Sequence, residues 1–296
     1  MPNRVIVTVI SIILLVCMSA GAQEQTWNTA SFVLSHPDGH PQIDSYACAN
    51  FSQEITERCV HALDITVKIA HKLPQFPDAY PVVNVPEEIQ PYLAASPRIQ
   101  SKNQEVMDLA TRILSGVPPP RREVDVVAAV IEWTSKNMVH AYPNEVPDAV
   151  TCIKRRKGNC IGFTHAAAAL LRNLGIPVRT VRTLHACPTC GGGPPLPDAE
   201  IQAYKAGGLR DILYPGPATG FTHMLRHSII EVYYPESKKW AMYDPQVAAV
   251  PTRLNIVLGQ DVDWNSEIQR KANAISKDKK TGLKILAPGE PGGHDH

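Results

Sequence analysis

The sequence lacks an excess of charge of either sign, with 29 lysines and arginines against 28 aspartates and glutamates in 296 residues. Arg4 is the one charged residue before position 23, so the chain without its first 22 residues has a net charge of 28 − 28 = 0. Nucleic acids and anionic membranes bind proteins with an excess of basic residues. The charge balance therefore argues against both classes of partner.

An apolar run long enough to be assigned as a membrane span is also lacking, since the run from Val5 to Met18 is short. It follows the basic start MPNR and precedes the small residues SAGA, a pattern typical of a secretory signal peptide cleaved after Ala22. We predict a secreted or periplasmic protein with no stable membrane insertion after cleavage. Lipid anchoring at Cys17 is an alternative, although Val16 is a poor residue before a lipidated cysteine.

Cysteines are too few and too scattered for a metal site, because only Cys187 and Cys190 have Cys-x-x-Cys spacing and a structural zinc needs four ligands. We predict no metal and no cofactor. In an exported chain cysteines favour disulfides, and the predicted pairs are Cys48–Cys59 and Cys187–Cys190. Cys152 is then left as a small buried residue.

The stretch from Lys157 to Val181 carries the main signal for chemistry. Asn159 is a good helix N-cap, which places Cys160 in the first turn of a helix that ends near Gly175. Apolar residues recur along it at helical spacing at Phe163, Ala167, Leu170 and Leu174. The positive end of a helix dipole favours the thiolate, so Cys160 is a candidate nucleophile. The alternative is a small buried cysteine or half of a disulfide.

Two predicted strands downstream bring a histidine and an aspartate together. LRHSIIEVYYP (225–235) and KWAMYDPQ (239–246) are separated by a short polar turn. A turn about Pro235 and Glu236 places His227 directly across from Asp244, whereas a turn about Glu236 and Ser237 makes them diagonal neighbours. Both registers keep the two side chains on one face, within reach of each other.

These two blocks resemble the transglutaminase-like superfamily, and the chain is identified as a secreted bacterial-type member over roughly residues 91–246. GNCIGFTHAAAALLRNLGIPVRTV is similar to its Gly-x-Cys helix followed by Leu-Gly-Ile-Pro-x-Arg, and HSIIEVYYPESKKWAMYDPQ is similar to its His-x-x-x-Glu-Val-Tyr, Trp and Asp-Pro block. The resemblance implies a Cys-His-Asp catalytic triad with Cys160 as nucleophile, His227 as base and Asp244 as orienting acid.

The resemblance also implies a papain-like α+β fold in which the nucleophile helix packs against an antiparallel β-sheet. It implies acyl transfer from a protein or peptide substrate through a thioester at Cys160. With water as acceptor the protein is a peptidase or amidase, and with an amine it is a transglutaminase. We favour hydrolysis because obvious additional domains for a second protein substrate are lacking. A binding or scaffold protein on this fold is the remaining alternative.

Some positions depart from the family pattern or leave a role open. The family commonly has Ala-Trp where this chain has Ser228 and Ile229. The oxyanion-stabilising residue is either Trp133 or Tyr142. His223 shares the strand face of His227 and is the rival base, whereas His165 points away from Cys160.

Two further segments carry weaker predictions. The basic run 154–157 is interpreted as a solvated face whose charge favours the thiolate of Cys160. The Gly- and Pro-rich insert from Cys187 to Gly220 is interpreted as a lid or specificity loop beside the cleft.

The domain organisation predicted from these patterns has four parts. Residues 1–22 are the signal peptide, and residues 23–90 are an N-terminal extension with a strand over Leu63 to Ile69. Residues 91–260 are the catalytic domain, which begins with two helices. The first helix starts with a capping box of Ser101 and Gln104, and the second carries Val126 to Trp133. Residues 261–296 are a C-terminal helix and flexible tail.

Overall fold

The structure is a computed structural model that describes residues 27–70, 73–141, 146–187, 220–221, 223–247 and 255–286. The predictions for the signal peptide, Cys17, Tyr142, Cys190, most of the insert after Cys187 and the C-terminal tail lie outside these residues. No helix within the described ranges is long and apolar enough to cross a membrane.

The described chain contains five α-helices, one 3-10 helix and twelve strands. The strands are β1 (Trp27–Ser35), β2 (Tyr46–Cys48), β3 (Phe51–Cys59), β4 (Ala62–Ala70), β5 (Val139–His140), β6 (Lys157–Gly158), β7 (Val178–Cys187), β8 (Gly220–Phe221), β9 (His223–Tyr234), β10 (Lys239–Tyr243), β11 (Asn255–Asp261) and β12 (Gly282–Leu286). The helices are the 3-10 helix Glu87–Leu93, α1 (Gln104–Ser115), α2 (Glu123–Asn137), α3 (Ala149–Arg155), α4 (Cys160–Asn173) and α5 (Ser266–Lys277).

Two antiparallel sheets organise the fold. One has four strands in the order β10-β9-β7-β11, and the other has six strands in the order β2-β3-β4-β1-β12-β8. The six-stranded sheet joins the two ends of the described chain, because β12 pairs with β1 over five residue pairs. Helix α4 packs on β7 and β9 of the four-stranded sheet. The prediction of an α+β fold with the nucleophile helix against an antiparallel sheet is confirmed.

The four-stranded sheet is buried on both faces. Successive strand residues point to opposite faces, so Ile230 of β9 packs with the helices while its neighbour Ile229 packs with the six-stranded sheet. The helix side contains the fully buried alanines and leucines of α4, and the other side contains Phe32 and Ile65. This burial on both faces explains why β7 and β9 lack the simple alternation of apolar and polar residues that is typical of a half-buried strand.

Local signals predicted most of these elements. The strand over Leu63 to Ile69 is β4, and both predicted helices before the catalytic block are present as α1 and α2. The predicted capping box of α1 is wrong: Asn103, not Ser101, is the N-cap, and its side chain accepts a hydrogen bond from Glu105 N at 3.0 Å. Asn103 lies next to the first helical residue, so its short side chain reaches the open N–H groups.

The predicted Cys48–Cys59 disulfide is also wrong, because both thiols are free. Cys48 pairs with Phe51 in the β2–β3 hairpin, and Cys59 lies at the opposite end of β3. Eight residues of extended strand separate their positions by roughly 26 Å, far beyond the reach of a disulfide. Cys152 is a free, buried cysteine as predicted.

Cys152 packs under the start of α4. A Cβ on Gly162 would come within 2.6 Å of the Cys152 sulfur, so the close approach of α3 to α4 requires glycine at this position.

Candidate active site

Cys160 is the first residue of α4, and Asn159 is its N-cap as predicted. The Asn159 side chain accepts hydrogen bonds from Ile161 N at 3.1 Å and from Gly162 N at 3.2 Å. These bonds fix the first turn and place the half-buried thiol at the positive end of the helix dipole. The helix behind it is buried along nearly its whole length, which makes the position of Cys160 rigid.

The β9–β10 hairpin brings His227 and Asp244 together. Tyr234 pairs with Lys239 and Ile230 with Tyr243, so the turn is centred on Glu236 and Ser237. Continued by one residue, this register places Asp244 diagonally to His227, and His227 Nε2 lies 2.8 Å from Asp244 Oδ2. The second of the two predicted registers is therefore the observed one.

Both side chains of this pair are buried, with relative exposures of 3% and 0%. The second carboxylate oxygen of Asp244 accepts a hydrogen bond from Gln246 N at 3.0 Å. Because Nε2 of His227 faces the aspartate, the other ring nitrogen, Nδ1, is the one that faces away from it. The carboxylate thereby selects one tautomer of the neutral imidazole.

The Cys160 thiol lies near enough to His227 for the imidazole to lower its pKa. Burial raises the pKa of Cys160, but the hydrogen bond from His227 and the positive charges of His227 and Arg182 outweigh it, so the pKa is lowered overall. The backbone N–H of Ser228 also contributes to the lowered pKa. The structure thus brings together the three residues that were predicted from sequence, in an environment that favours a thiolate.

Arg182 is a member of the site that the sequence reasoning missed. It lies in the middle of β7, directly across from Ser228, with its side chain buried against the Trp264 ring at 4.9 Å. A signal was present in the sequence, because Arg182 stands in the middle of a strand between two fully buried residues, Val181 and Thr183. What it contacts depends on how α4 packs, which the sequence does not reveal.

A pocket of about 310 Å³, counting its open mouth, lies beside Arg182 and Ser228. Its other walls come from the segment after β11, including Asp261, Asp263 and Trp264, and from His165 on α4. Arg182 and Ser228 both lower the pKa of Cys160, but none of Cys160, His227 and Asp244 lines this pocket.

The other candidate histidines have different environments. His165 Nδ1 lies 2.7 Å from Pro147 O, and burial lowers the pKa of His165 to about 4, so this ring is neutral and used in packing as predicted. His223 is the first residue of β9, four residues or roughly 13 Å along the strand from His227. The aspartate partner belongs to His227.

The basic run beside α4 does not act on Cys160 as predicted. Lys154 pairs with Glu105 at 3.3 Å, and the Arg156 guanidinium lies 4.4 Å from the centre of the Trp133 ring. The cations that lower the pKa of Cys160 are His227 and Arg182 instead. Trp133 is thus a partner of Arg156, and nothing in its contacts favours it as the oxyanion-stabilising residue.

Three other motif residues form a structural cluster. Glu231 is fully buried and accepts a hydrogen bond from Arg179 Nε at 2.7 Å and another from the Tyr46 hydroxyl. The Arg179 guanidinium stacks on Trp240 at 4.0 Å. Because Tyr46 belongs to β2, this cluster ties the six-stranded sheet to the strand that carries His227.

A family model described as the Transglutaminase-like superfamily matches residues 107–245. Residues 107–245 belong to this superfamily. The match covers Cys160, His227 and Asp244 together with Arg179, Glu231 and Trp240. No curated protein matches the chain. No group of three or more residues that could hold a metal ion occurs in the part of the chain that the structure describes.

Solved structures that are similar to this chain have low sequence identity to it. A proposed cysteine protease from Cytophaga hutchinsonii is 17% identical, with a TM-score of 0.45 over 88% of this chain and 94% of that one. The periplasmic domain of TgpA from Pseudomonas aeruginosa is 16% identical, with a TM-score of 0.41 over 77% of each chain. Red sea bream transglutaminase is 12% identical, with a TM-score of 0.33 over 74% of this chain and 46% of that one. The family assignment depends on the sequence match.

Proposed function

We propose that the protein is an exported cysteine-dependent acyl-transfer enzyme that hydrolyses peptide or amide bonds through a thioester at Cys160. The observation that supports this most directly is the buried 2.8 Å contact between His227 and Asp244, and the same imidazole lowers the pKa of the Cys160 thiol. Membership of residues 107–245 in the transglutaminase-like superfamily supports a cysteine enzyme at the level of the family. The basic start, the apolar run and the SAGA segment support export.

In the first half of the proposed reaction, the Cys160 thiolate attacks the carbonyl carbon and forms a C–S bond. The backbone N–H groups of Ile161 and Gly162 already bind Asn159, so the Cys160 N–H at the helix terminus is the donor we assign to the oxyanion. His227 then gives its proton to the leaving nitrogen as the C–N bond breaks. Asp244 stabilises the charged imidazole before this transfer.

In the second half, the acceptor attacks the thioester. Neutral His227 takes a proton from water, the new C–O bond forms, and the C–S bond breaks to restore the thiolate and imidazolium. A primary amine in place of water would give a new amide through the same residues. The scaffold alternative is disfavoured because a buried His–Asp pair costs desolvation free energy and a folded scaffold gains nothing from an ionised thiol beside it.

The test is incubation with a complex mixture of peptides, followed by mass spectrometry, for the unsubstituted protein and for Cys160→Ala. Parallel reactions contain an added primary amine. Cleaved or deamidated peptides that depend on Cys160 are the expected result. Amine adducts in place of hydrolysis products would identify a transglutaminase.

A second measurement distinguishes an enzyme without its substrate from a scaffold. The alkylation rate of Cys160 by iodoacetamide is compared in the unsubstituted protein and in His227→Ala. A marked decrease on removing the imidazole is expected. Absence of product together with an unchanged alkylation rate would contradict the proposed function.

A further inference from the structure

Arg182 lies on β7 and Asp244 directly follows β10, and these two strands flank the strand that carries His227. On β7 Arg182 pairs with Ser228 of β9 and with Gly259 of β11, which places it at the centre of the four-stranded sheet. Its Nη1 donates to His227 O at 3.3 Å, and its guanidinium lies near enough to Cys160 for its positive charge to lower the pKa of the thiol. One cation therefore binds the backbone of the histidine and acts electrostatically on the side chain of the cysteine.

Arg182 has no carboxylate counter-ion among the described residues. None of the ion pairs in the described ranges includes it, although Asp261 and Asp263 line the same pocket. Those two carboxylates instead accept hydrogen bonds from the nearby backbone and from Asn265. A buried guanidinium is unfavourable without an anion.

The electrostatics agree with this geometry. The pKa of Arg182 is lowered to about 10, mainly by burial, and Cys160 is the group that opposes this lowering. The two side chains are thus each other's counter-ions. Trp264 covers the guanidinium with its ring at 4.9 Å, a stacking contact that suits arginine better than lysine.

We propose that Arg182 is a positioning residue that keeps Cys160 ionised and in place even when His227 is neutral. In a pair made of cysteine and histidine alone, loss of the imidazole proton removes the charge that stabilises the thiolate. A guanidinium stays charged throughout the neutral range, so it maintains that stabilisation. The proposal rests on the proposed role of Cys160 as nucleophile, but thiol ionisation can be measured without turnover.

Other charged or titratable groups surround Arg182 and Cys160, and one of them provides the control variant. The positive charge of Arg226 on β9 lowers the pKa of Arg182, and Asp244 is hydrogen-bonded to His227. The His185 ring lies 6.4 Å from the His227 ring. His165, on the pocket side, is neutral because burial lowers its pKa to about 4. Arg226 is the matched control, since it is an exposed arginine next to the catalytic histidine in sequence.

The experiment measures the rate of iodoacetamide alkylation of Cys160 against pH for the unsubstituted protein, Arg182→Met, Arg182→Lys and Arg226→Met. We expect the midpoint of the Arg182→Met profile to rise by about one pH unit, which lowers the rate below the midpoint roughly tenfold. Arg182→Lys should restore most of the shift, because charge is the property required. Arg226→Met should leave the midpoint unchanged.

An unchanged midpoint in folded Arg182→Met would overturn the proposal, as would an equal shift in Arg226→Met. If Arg182→Met does not fold, the same profile is measured for Trp264→Leu. Without the covering ring the guanidinium of Arg182 is held less firmly, so the midpoint should rise by a smaller amount. No shift in Trp264→Leu would then overturn it. A shifted profile in a protein that turns over no substrate would support the role of Arg182 while contradicting the proposed function.

Discussion

Replacing Glu231 by glutamine tests whether the motif residues around the site act in stability or in chemistry. Glu231 lies on the same strand as His227, four residues on, and is fully buried with Arg179 and Tyr46 as partners. Glutamine keeps the shape of the side chain but removes its charge. The Arg179 guanidinium is then left buried beside a neutral amide.

The structure allows the size of this effect to be worked out. Breaking a buried ion pair by removing one partner costs about 3–5 kcal/mol, and the amide oxygen of glutamine keeps some hydrogen bonding, so we expect a loss of about 3 kcal/mol. With a urea dependence of about 3 kcal/mol/M for a chain of this size, the unfolding midpoint should fall by about 1 M.

The matched control is Glu132→Gln on α2. Glu132 pairs with Lys136 one turn away, but their side chains are 56% and 68% exposed. An exposed pair at this spacing contributes about 0.3–0.5 kcal/mol, so its loss should be barely measurable. The same chemical change is therefore compared in a buried and an exposed pair.

Urea unfolding followed by circular dichroism measures both variants, and alkylation of Cys160 is measured on the folded proteins. Similar midpoints for Glu231→Gln and Glu132→Gln would refute the structural role of the cluster. A slower alkylation of Cys160 in a fully stable Glu231→Gln would instead place Glu231 in the chemistry. If Glu231→Gln does not fold, Tyr46→Phe should cost about 1 kcal/mol, the value of one hydrogen bond.

Three further predictions follow from the described contacts. Cys160 should be alkylated well before Cys152 in the folded protein, because burial raises the pKa of Cys152 to about 12 while that of Cys160 is lowered; equal rates, measured by peptide mapping, would contradict the assignment. Asp244→Asn should leave the urea midpoint nearly unchanged and reduce turnover by about 10⁴-fold, and rescue by a divalent cation would exclude an orienting role. Burial raises the pKa of Glu123 to about 9, and neither carboxylate oxygen has a hydrogen-bond partner among the described residues. Its contribution to stability is therefore full below about pH 4 and is lost as the pH rises to about 9, so Glu123→Gln should flatten the pH dependence of unfolding over that range; an unchanged dependence would count against it.

Much of the site could be predicted from sequence because its signals are local. The N-cap Asn159 precedes Cys160 directly, so the capping preference alone places the thiol at a helix start. The alternation of side chains along two neighbouring strands places His227 and Asp244 on one face, whichever of the two turns forms. The choice between the two registers required the structure.

The errors arose where a prediction extended beyond neighbouring residues. The disulfide between Cys48 and Cys59 was predicted from their number and from export, but a hairpin and a full strand separate them. The effect of the basic run on Cys160 was predicted from nearness in sequence, whereas those side chains contact Glu105 and Trp133. Nearness along the chain does not determine which way a side chain points.

The sequence by itself therefore determined the nucleophile helix, the histidine–aspartate hairpin and the family, because caps, periodicity and motif spacing act over a few residues. Tertiary structure alone decided that Arg182 would meet Cys160, that Tyr46 would reach Glu231, and that β12 would close a sheet with β1. These contacts join segments that are 22, 185 and about 250 residues apart. They form because the four-stranded sheet must bury both of its faces, and the layers that cover it bring distant side chains together.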